Sequence, residues 1–390
     1  MQLTKTYKIA FAVLGALVAL GVGAYVSQFV GGLGVTGMSN GTSWGLYIAS
    51  FMFFVGLSAG GLIVASSASI FHVTEYKKVA LPAIIVSLIC ICIAGAFVLI
   101  DLGGIVRILN LFASPNFVSP LLWDICVITT YLVINLVYLY FMTSKKPGAQ
   151  HKVAIVSRFA LPVAILVHSV TAWIFGLQQA HEFWHTALLG PWFVSSALVC
   201  GTALVLVVVI ALRRAGYLEL EQRYVTRLAK MLGAFVLVDL YFFGCDLLTS
   251  AFPEGSGAEV VAMLTTGSLA PFFWAEIVGC ALAAVVCFVP SLRTNPLIVV
   301  ASLLAIAGIF CKRVQLLVGG FQIPNVDYAF QTNALTVTNW EGGFEAAYQG
   351  MVYWPTALEL GVALGILGLG ALMLCVGLKF LPLKQAENVH

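Results

Sequence analysis

We single out eight ionisable side chains within strongly apolar stretches of this sequence. Six are carboxylates, one is a histidine and one is an arginine: Asp101, Asp124, Asp239, Asp246, Glu276, Glu359, His168 and Arg313. Such residues are costly in an apolar environment and usually mark a functional site. Histidine exchanges a proton near neutral pH, carboxylates accept protons, and arginine stabilises negative charge. The set favours chemistry in which a polar head group gains or loses protons.

Structural explanations compete with this interpretation. Four of the acids lie near the ends of their apolar stretches, where a side chain can extend to the polar interface: Asp101, Asp124, Glu276 and Glu359. Any acid could also form an ion pair with Arg313. Asp239 and Asp246 are seven residues apart and share one helix face, which indicates a line of carboxylates. With Glu359, they form a predicted proton path.

The apolar stretches indicate an integral membrane protein. Of the 390 residues, 61% are hydrophobic and 9% are charged, whereas about 25% are charged in a typical soluble domain. A helix needs about 20 apolar residues to cross the hydrocarbon core. Ten stretches predict an all-α protein with a single polytopic membrane domain, at roughly residues 7–30, 43–71, 79–103, 119–142, 154–178, 190–212, 225–252, 268–291, 296–319 and 354–381. The first is too long for a signal-peptide core.

Basic residues predict the orientation of these helices. All but three of the 19 Lys and Arg residues fall on one side, the exceptions being Arg107, Lys312 and Arg313. We therefore expect an inner-membrane protein with both termini on the cytoplasmic side. In this orientation all the ionisable residues named above fall in the outer halves of their helices, with Asp239 the deepest. The interface explanation is weaker for His168, because about ten residues separate it from the outer end of its helix.

A short internal repeat relates helices two to five to helices six to nine. Ser-Pro-Leu-Leu-Trp-Asp at 119–124 opens helix four, and Ala-Pro-Phe-Phe-Trp-Ala-Glu at 270–276 opens helix eight. Trp44 and Trp192 begin helices two and six, the same position in each copy. Because the offset is an even number of helices, both copies share one orientation. The sequence predicts two parallel-related four-helix bundles, with the first and last helices added.

Acids with one histidine and one arginine suit a quinone head group. Each quinone carbonyl accepts a hydrogen bond, and each quinol hydroxyl loses a proton as electrons leave. His168 could serve both steps, a nearby carboxylate could pass protons outward, and Arg313 could stabilise negative charge. Trp44 and Trp173 could line the channel for the quinone tail, or could be ordinary packing and interface residues.

Metal sites and nucleic-acid binding receive less support. The sequence His-Glu-Phe-Trp-His at 181–185 fits the H-E-x-x-H pattern of zinc metalloproteases, but it falls in an outer loop rather than on an embedded helix. A transmembrane haem needs two deep histidines, and only His168 is deep. All nine cysteines lie in apolar stretches without a CxxC pair. We expect no zinc, haem or iron–sulfur cluster in this chain, and the scattered basic residues indicate no nucleic-acid partner.

Several motifs resemble one known family. They are WGLYI at 44–48, GLSAGG at 56–61, IDLG at 100–103, HSVTAWIFG at 168–176, GPWFVSSA at 190–197 and YWPTALE at 353–359. Together they resemble the NrfD/polysulfide reductase (PsrC-like) membrane subunits, in the longer ten-helix branch. The resemblance spans nearly the whole chain, and the stretch 168–176 is its most specific part.

The resemblance implies a function and partners. Members of this family are quinone-reactive subunits of respiratory complexes, carry no redox metal and bind a ferredoxin-like iron–sulfur subunit on the outer face. That subunit connects them to a molybdopterin enzyme, a hydrogenase or a multihaem cytochrome. By this resemblance His168 and Asp101 belong to the quinone site; Asp124, Glu276 and Arg313 are added from their depth alone.

One departure from the family pattern concerns a basic residue. The family usually has one directly after the Asp-Leu-Gly motif, where this chain has Gly104, with Arg107 three residues later. The role of Arg107 is therefore left open.

The sequence thus predicts an electron-relay subunit that reacts with menaquinone or ubiquinone near the outer leaflet, with possible proton translocation. A secondary transporter is the alternative, because parallel repeats and intramembrane acids also suit transport. A transporter would be expected to carry polar residues at the midplane and in the inner half. A zinc protease is a third and weaker alternative.

Overall fold

The computed structural model describes residues 5–39, 42–70, 77–179, 181, 183–252, 256–322 and 353–380. Over these residues the protein is helical and contains no strand. Ten helices are long and apolar enough to cross a membrane, which confirms the predicted fold class. We number them α1 (Lys5–Gly31), α2 (Leu46–Ile70), α3 (Lys77–Asp101), α4 (Pro120–Thr143), α5 (Ala149–Gly176), α6 (Leu189–Arg214), α7 (Gln222–Ala251), α8 (Ala270–Phe288), α9 (Asn295–Gln322) and α10 (Ala357–Phe380). Following the predicted orientation, the outer end is the end at which α1 ends and α2 begins.

The helix ends differ from the apolar stretches where polar residues extend a helix or proline stops it. Helix α5 begins earlier than predicted, directly after Gly148, which adopts a positive φ of 80°. Helix α8 ends at Phe288, before Pro290, which lacks a backbone N–H and starts a separate short turn. The long connection at 323–352, between α9 and α10, lies outside the described residues.

Helix packing divides the interior into two groups with the same connectivity. The first bundle contains the contacts α2–α3, α3–α4, α4–α5 and α2–α5, and the second repeats them as α6–α7, α7–α8, α8–α9 and α6–α9. Helices α1 and α10 pack on each other, and α10 also packs on α3. The packing therefore agrees with two related four-helix bundles and two added helices.

The two bundles meet along α2 and α6 at closely spaced glycines. A Cβ atom at Gly201 would overlap the backbone of Gly60, and one at Gly60 would overlap the carbonyl of Ala197. Lipid is as apolar as a helix surface, so helices in a membrane gain from close packing of small residues rather than from water exclusion. The contacts α5–α6 and α2–α9 flank this glycine contact.

A loop at the outer end joins the two bundles and covers α9. Trp184 in this loop donates its indole N–H to the carbonyl of Leu316 at 2.6 Å. Its ring lies where any side chain at Gly320 would be. A second outer connection contains the short segments Ile105–Leu109 and Asn110–Ala113, and Ser256–Thr265 forms a further short helix before α8.

Replacing Gly201 by alanine should destabilise the protein by about 1–3 kcal/mol, the usual cost of overpacking, because the new methyl group overlaps α2. The unfolding midpoint in detergent measures this effect. Gly95→Ala on α3 is the matched control, since no atom lies within 4 Å of a Cβ there. Equal midpoints for the two variants would contradict a close α2–α6 contact.

Candidate functional site

His168 and Arg313 form a fully buried pair between the bundles. Arg313 Nη2 lies 3.1 Å from His168 Nε2 and 2.5 Å from Ser196 Oγ. The guanidinium also lies over the ring of Phe193, 3.7 Å from its centroid, which adds a cation–π contact. Arginine only donates hydrogen bonds, so His168 Nε2 must accept one. The imidazole is therefore neutral, with its proton on Nδ1.

Several polar atoms of this pair have no hydrogen-bond partner within the described part of the chain. They are Nδ1 of His168 and Nε and Nη1 of Arg313. Gly56 on α2 lets the imidazole lie close to the helix, since a Cβ there would be 3.3 Å from the ring. The pair therefore combines a permanent positive charge with buried donors for which the described residues offer no acceptor.

Asp124 lies beside the same face of α5. Thr171, three residues after His168, donates its hydroxyl to Asp124 Oδ1 at 2.7 Å. Residues three apart share a helix face, so His168 and Asp124 belong to one side of α5. Asp124 is buried.

Asp101 ends α3 and belongs to a separate outer group. Its Oδ1 is buried without a hydrogen-bond partner among the described residues. Tyr47 and Glu359 are close enough to interact with it electrostatically. The Tyr47 hydroxyl donates to Gln28 of α1 at 2.6 Å.

Glu359 stabilises the start of α10. Its carboxylate accepts hydrogen bonds from the Tyr353 hydroxyl at 2.5 Å, from the backbone N–H groups of Gly37 and Thr356 at 2.8 Å each, and from the Thr356 hydroxyl at 3.0 Å. These bonds give it a capping role that ties α10 to the segment after α1. Its predicted place in a proton path stays a prediction.

The main residue of the candidate site that the sequence did not single out is Lys312. Its ammonium forms ion pairs with Asp239 and with Glu276 Oε1, the latter at 3.1 Å, and lies 4.5 Å from the centroid of the Trp192 ring. Lys312 and Arg313 were counted as outer charges, and Arg313 was considered as the ion-pair partner of the acids. Both cations are buried in α9. Among the described residues Lys312, not Arg313, forms the ion pairs.

Further hydrogen bonds complete this Lys312 cluster. Ser195 donates to Asp239 Oδ1 at 2.9 Å, and Gln315 donates to Glu276 Oε2 at 3.0 Å. Residues Asp239, Glu276, Lys312 and Gln315 are all buried. These hydrogen bonds and ion pairs stabilise the buried charges of the cluster.

A pocket leads from the outer end to the Lys312 cluster. About 540 Å³ of space there is free of protein atoms, and this volume includes open solvent at the mouth. Its mouth is formed by partly or fully exposed polar residues, including His185, Asp246 and Ser250, and its inner wall includes Glu276 and Lys312. Asp246 thus lies on the pocket wall between the outside and the buried cluster.

The two bundles use equivalent positions for their buried polar groups. In the first bundle Thr171 on α5 bonds Asp124 on α4; in the second Gln315 on α9 bonds Glu276 on α8. His168 precedes Thr171 by three residues, as Lys312 precedes Gln315. The repeat therefore places a histidine, which can exchange protons, in one bundle and an ion-paired lysine at the equivalent position of the other.

The predicted tail-channel tryptophans lie in different surroundings. Trp44 packs in an aromatic cluster with Phe175, Trp184 and Phe321, at ring-centroid distances of 5.7, 6.5 and 6.1 Å. Trp173 is 39% exposed on α5. Their predicted contact with a quinone tail stays a prediction.

The histidines of the H-E-x-x-H pattern make separate structural contacts. His181 Nδ1 lies 3.1 Å from the carbonyl of Gly320, and His185 Nδ1 lies 3.2 Å from that of Gly176. Glu182 lies outside the described residues. Over the described chain no group of three His, Cys, Asp or Glu residues is arranged to hold a metal ion. The two histidines thus anchor the outer loop, which explains the pattern without zinc binding.

An uncharged polar network lies deeper in the first bundle. Tyr131 and Ser58 are 2.9 Å apart, Tyr131 and Ser87 are 2.8 Å apart, and Ser87 donates to Asn135 at 2.9 Å. All four residues are buried near the middle of α2, α3 and α4. The sequence did not single them out, because hydroxyl and amide side chains are less costly in a membrane than ionisable groups and are common there.

A family profile described as "Polysulphide reductase, NrfD" matches residues 34–325. This range contains both four-helix bundles and therefore His168, Arg313 and the Lys312 cluster. The chain belongs to the polysulphide reductase NrfD family. The match confirms the family resemblance drawn from the motifs.

Three relatives of this NrfD-family protein match it over most of its length. A putative membrane subunit of dimethyl sulfoxide reductase from Halobacterium salinarum is 34% identical, over 96% of this chain and 91% of that protein. The Hdr-like menaquinol oxidoreductase integral membrane subunit of Archaeoglobus fulgidus is 26% identical, over 97% and 94%. The menaquinone reductase integral membrane subunit of Nitratidesulfovibrio vulgaris is 24% identical, over 91% and 87%. Each is named as a membrane subunit of an oxidoreductase.

Lys312→Met should destabilise this NrfD-family protein by about 3–5 kcal/mol, because Asp239 and Glu276 would be left buried without a cation. The unfolding midpoint in detergent measures the loss. Lys230→Met, at an exposed position of α7, is the matched control. Adding Asp239→Asn and Glu276→Gln to Lys312→Met should recover most of the stability. No recovery would show that charge compensation is not the main role of Lys312.

Acidification should loosen the outer loop. Burial lowers the pKa of His181 from its usual value of 6.5, against a smaller opposing effect of the Gly320 carbonyl. A histidine with a lowered folded-state pKa contributes stability above its unfolded pKa, and this contribution is lost as the pH falls through the lowered pKa. Hydrogen exchange of residues 177–188, corrected for intrinsic rates, should therefore rise between about pH 7.5 and 5.5.

The variants His181→Gln and His151→Gln control this measurement. The first should abolish the pH dependence of loop exchange, and the second, at an exposed position of α5, should retain it. A pH dependence that persists in His181→Gln would assign the effect to another group.

Proposed function

We propose that this NrfD-family protein is the quinone-reactive membrane subunit of a respiratory oxidoreductase complex. It would pass electrons between the membrane quinone pool and an iron–sulfur subunit at the outer end. The His168–Arg313 pair carries this proposal. Buried donors are costly unless an acceptor completes them, and His168 Nδ1 and Arg313 Nε and Nη1 have none among the described residues. The carbonyl oxygens of a quinone head group are suitable acceptors.

The two side chains would act differently on the head group. A quinone supplies the two-electron, two-proton redox chemistry. Arg313 keeps its charge when buried and presents a planar set of donors, so it stabilises negative charge on the oxygen that it contacts. Neutral His168 donates from Nδ1 to a carbonyl. It can accept a proton at Nε2 when Arg313 transfers its hydrogen bond to the head group.

Asp124 and Asp101 are assigned to proton transfer at this site. Thr171 holds Asp124 on the same side of α5 as His168. Asp101 lies at the outer end of α3 with one unsatisfied carboxylate oxygen. Protons released from a quinol would therefore leave toward the outer end, and those taken up by a quinone would enter from it.

The approach of the quinone is assigned to the surface of α5. Trp44 contacts Phe175 of this helix, and Trp173 belongs to it. Menaquinone is favoured over ubiquinone, because two relatives are named for menaquinol or menaquinone. Glu276 was predicted to bind the head group, but its ion pair with Lys312 favours an indirect role.

The iron–sulfur subunit would dock on the outer connection between α3 and α4. Val106, Leu109 and Phe112 expose large apolar side chains there, beside Arg107. A molybdopterin enzyme, a hydrogenase or a multihaem cytochrome would lie beyond this subunit. We place the complex in the cytoplasmic membrane, with both termini of this chain on the cytoplasmic side.

His168→Ala should lower quinol-linked turnover of the purified complex at least about a hundredfold, as expected for loss of an acid–base group. The complex should remain assembled, because His168 carries no ion pair among the described residues. His151→Ala on the same helix is the matched control and should keep full turnover. Turnover is measured with 2,3-dimethyl-1,4-naphthoquinol as donor, and assembly by size-exclusion chromatography.

Arg313→Lys provides a second variant. It keeps the charge but loses the planar donor set, so it should weaken binding of the naphthoquinone while the complex still forms. Normal turnover in both His168→Ala and Arg313→Lys would reject this pair as the quinone site. Loss of assembly in His168→Ala would instead assign His168 a structural role.

A further inference from the structure

Two pairs of adjacent residues connect the His168–Arg313 pair to the Lys312 cluster. On α9, Arg313 contacts His168 while Lys312 contacts Asp239 and Glu276. On α6, Ser196 accepts from Arg313 while Ser195 donates to Asp239. Neighbouring residues on these two helices thus serve two different polar groups.

The charges of the two groups balance only when they are taken together. Asp239 and Glu276 share one ammonium, that of Lys312, which leaves the cluster with one excess negative charge if both acids are ionised. Arg313 has no carboxylate in its hydrogen bonds, yet it interacts electrostatically with Asp239 and Glu276. All four side chains are buried. The excess charge of the cluster therefore compensates Arg313.

Glu276 is the acid of the cluster that faces the pocket. It lines the pocket together with Lys312, Asp246 and His185, whereas Asp239 does not line it. Water entering the outer mouth can therefore approach Glu276. Asp239 is held away from the pocket by Ser195 and Lys312.

We propose that Glu276 is a proton-exchange site, reached from the outer aqueous phase through the pocket, whose protonation controls the charge compensation of Arg313. A proton from water forms an O–H bond on the Glu276 carboxylate, and its loss to water restores the anion; no electron is transferred. When Glu276 is neutral, Lys312 and Asp239 pair with each other and Arg313 is left uncompensated. Arg313 then binds an electron-rich ligand oxygen more tightly.

The coupling between Glu276 protonation and quinone binding at Arg313 rests on the proposed function. Proton exchange at Glu276 is independent of any quinone. Every element packed around Glu276 places titratable or polar groups near it or along its pocket. They are Lys312, Cys311, Arg313 and Gln315 on α9, Asp239 and Asp246 on α7, Cys280 on α8 and His185 in the loop.

The alternative is a sealed ion-pair cluster with only a structural role. Infrared difference spectroscopy of the purified full-length chain, between neutral and acidic buffer, distinguishes the two. We expect a carbonyl-stretch band of a buried protonated carboxyl group that is lost in Glu276→Gln. Glu259→Gln, an exposed acid beside the pocket residue Val260, is the matched control and should retain the band.

A second variant keeps this test decisive if Glu276→Gln folds poorly. Gln315→Leu removes the hydrogen bond to Glu276 Oε2 but leaves the ion pairs, so it should shift the frequency of the same band. A spectrum that is unchanged in both variants would overturn the proposal. A buried-carboxyl band that disappears in Glu259→Gln would do the same.

The coupling to Arg313 is measured by binding of 2,3-dimethyl-1,4-naphthoquinone. Its affinity should increase as the pH falls, by up to about tenfold per pH unit for one linked proton, and Glu276→Gln should abolish this dependence. A dependence that persists in Glu276→Gln would overturn the coupling. If the naphthoquinone does not bind the wild-type protein, the proposed function fails, and the infrared result still decides whether Glu276 exchanges protons.

Discussion

A cation in the hydrocarbon core has no water to solvate it, so the protein must supply both opposite charge and hydrogen-bond acceptors. In this chain the constraint falls on two adjacent residues of α9, Lys312 and Arg313, both buried. Lys312 meets it by pairing with Asp239 and Glu276. Within the described part of the chain, Arg313 meets it only in part, through His168, a hydroxyl group and an aromatic ring. The incomplete solvation of Arg313 is the observation on which the proposed ligand site rests.

These contacts require backbones that approach closely, because the side chains involved come from both bundles. Gly60 and Gly201 bring α2 and α6 together, and Gly56 lets the His168 ring lie against α2. Gly320 leaves room for Trp184, which fixes the outer loop to the end of α9. Small residues thus set the geometry within which the charged residues can pair.

The internal repeat explains how one fold holds two different polar sites. Both bundles place an acid near the start of their third helix and a hydrogen-bond donor opposite it on their fourth. The residue three positions before that donor differs, being His168 in one bundle and Lys312 in the other. A neutral histidine can exchange protons and bind a ligand, whereas a lysine between two carboxylates forms an ion-paired cluster. This difference in basic residue, together with the additional acid Asp239, separates the two sites chemically.

The sequence by itself determined the ten spanning helices, the family and the two related bundles, because apolar length and repeated motifs are local properties of the chain. It also identified His168, Arg313 and the acids as unusual, since ionisable residues stand out in apolar stretches. Only the tertiary structure decided which charges pair. The sequence counted Lys312 only among the basic residues, and packing pairs it with Asp239 and Glu276. Packing also gives Glu359 the hydrogen bonds that cap α10. The pairing of charges depends on which helix faces pack together, because a buried cation forms an ion pair only with a carboxylate within a few ångströms.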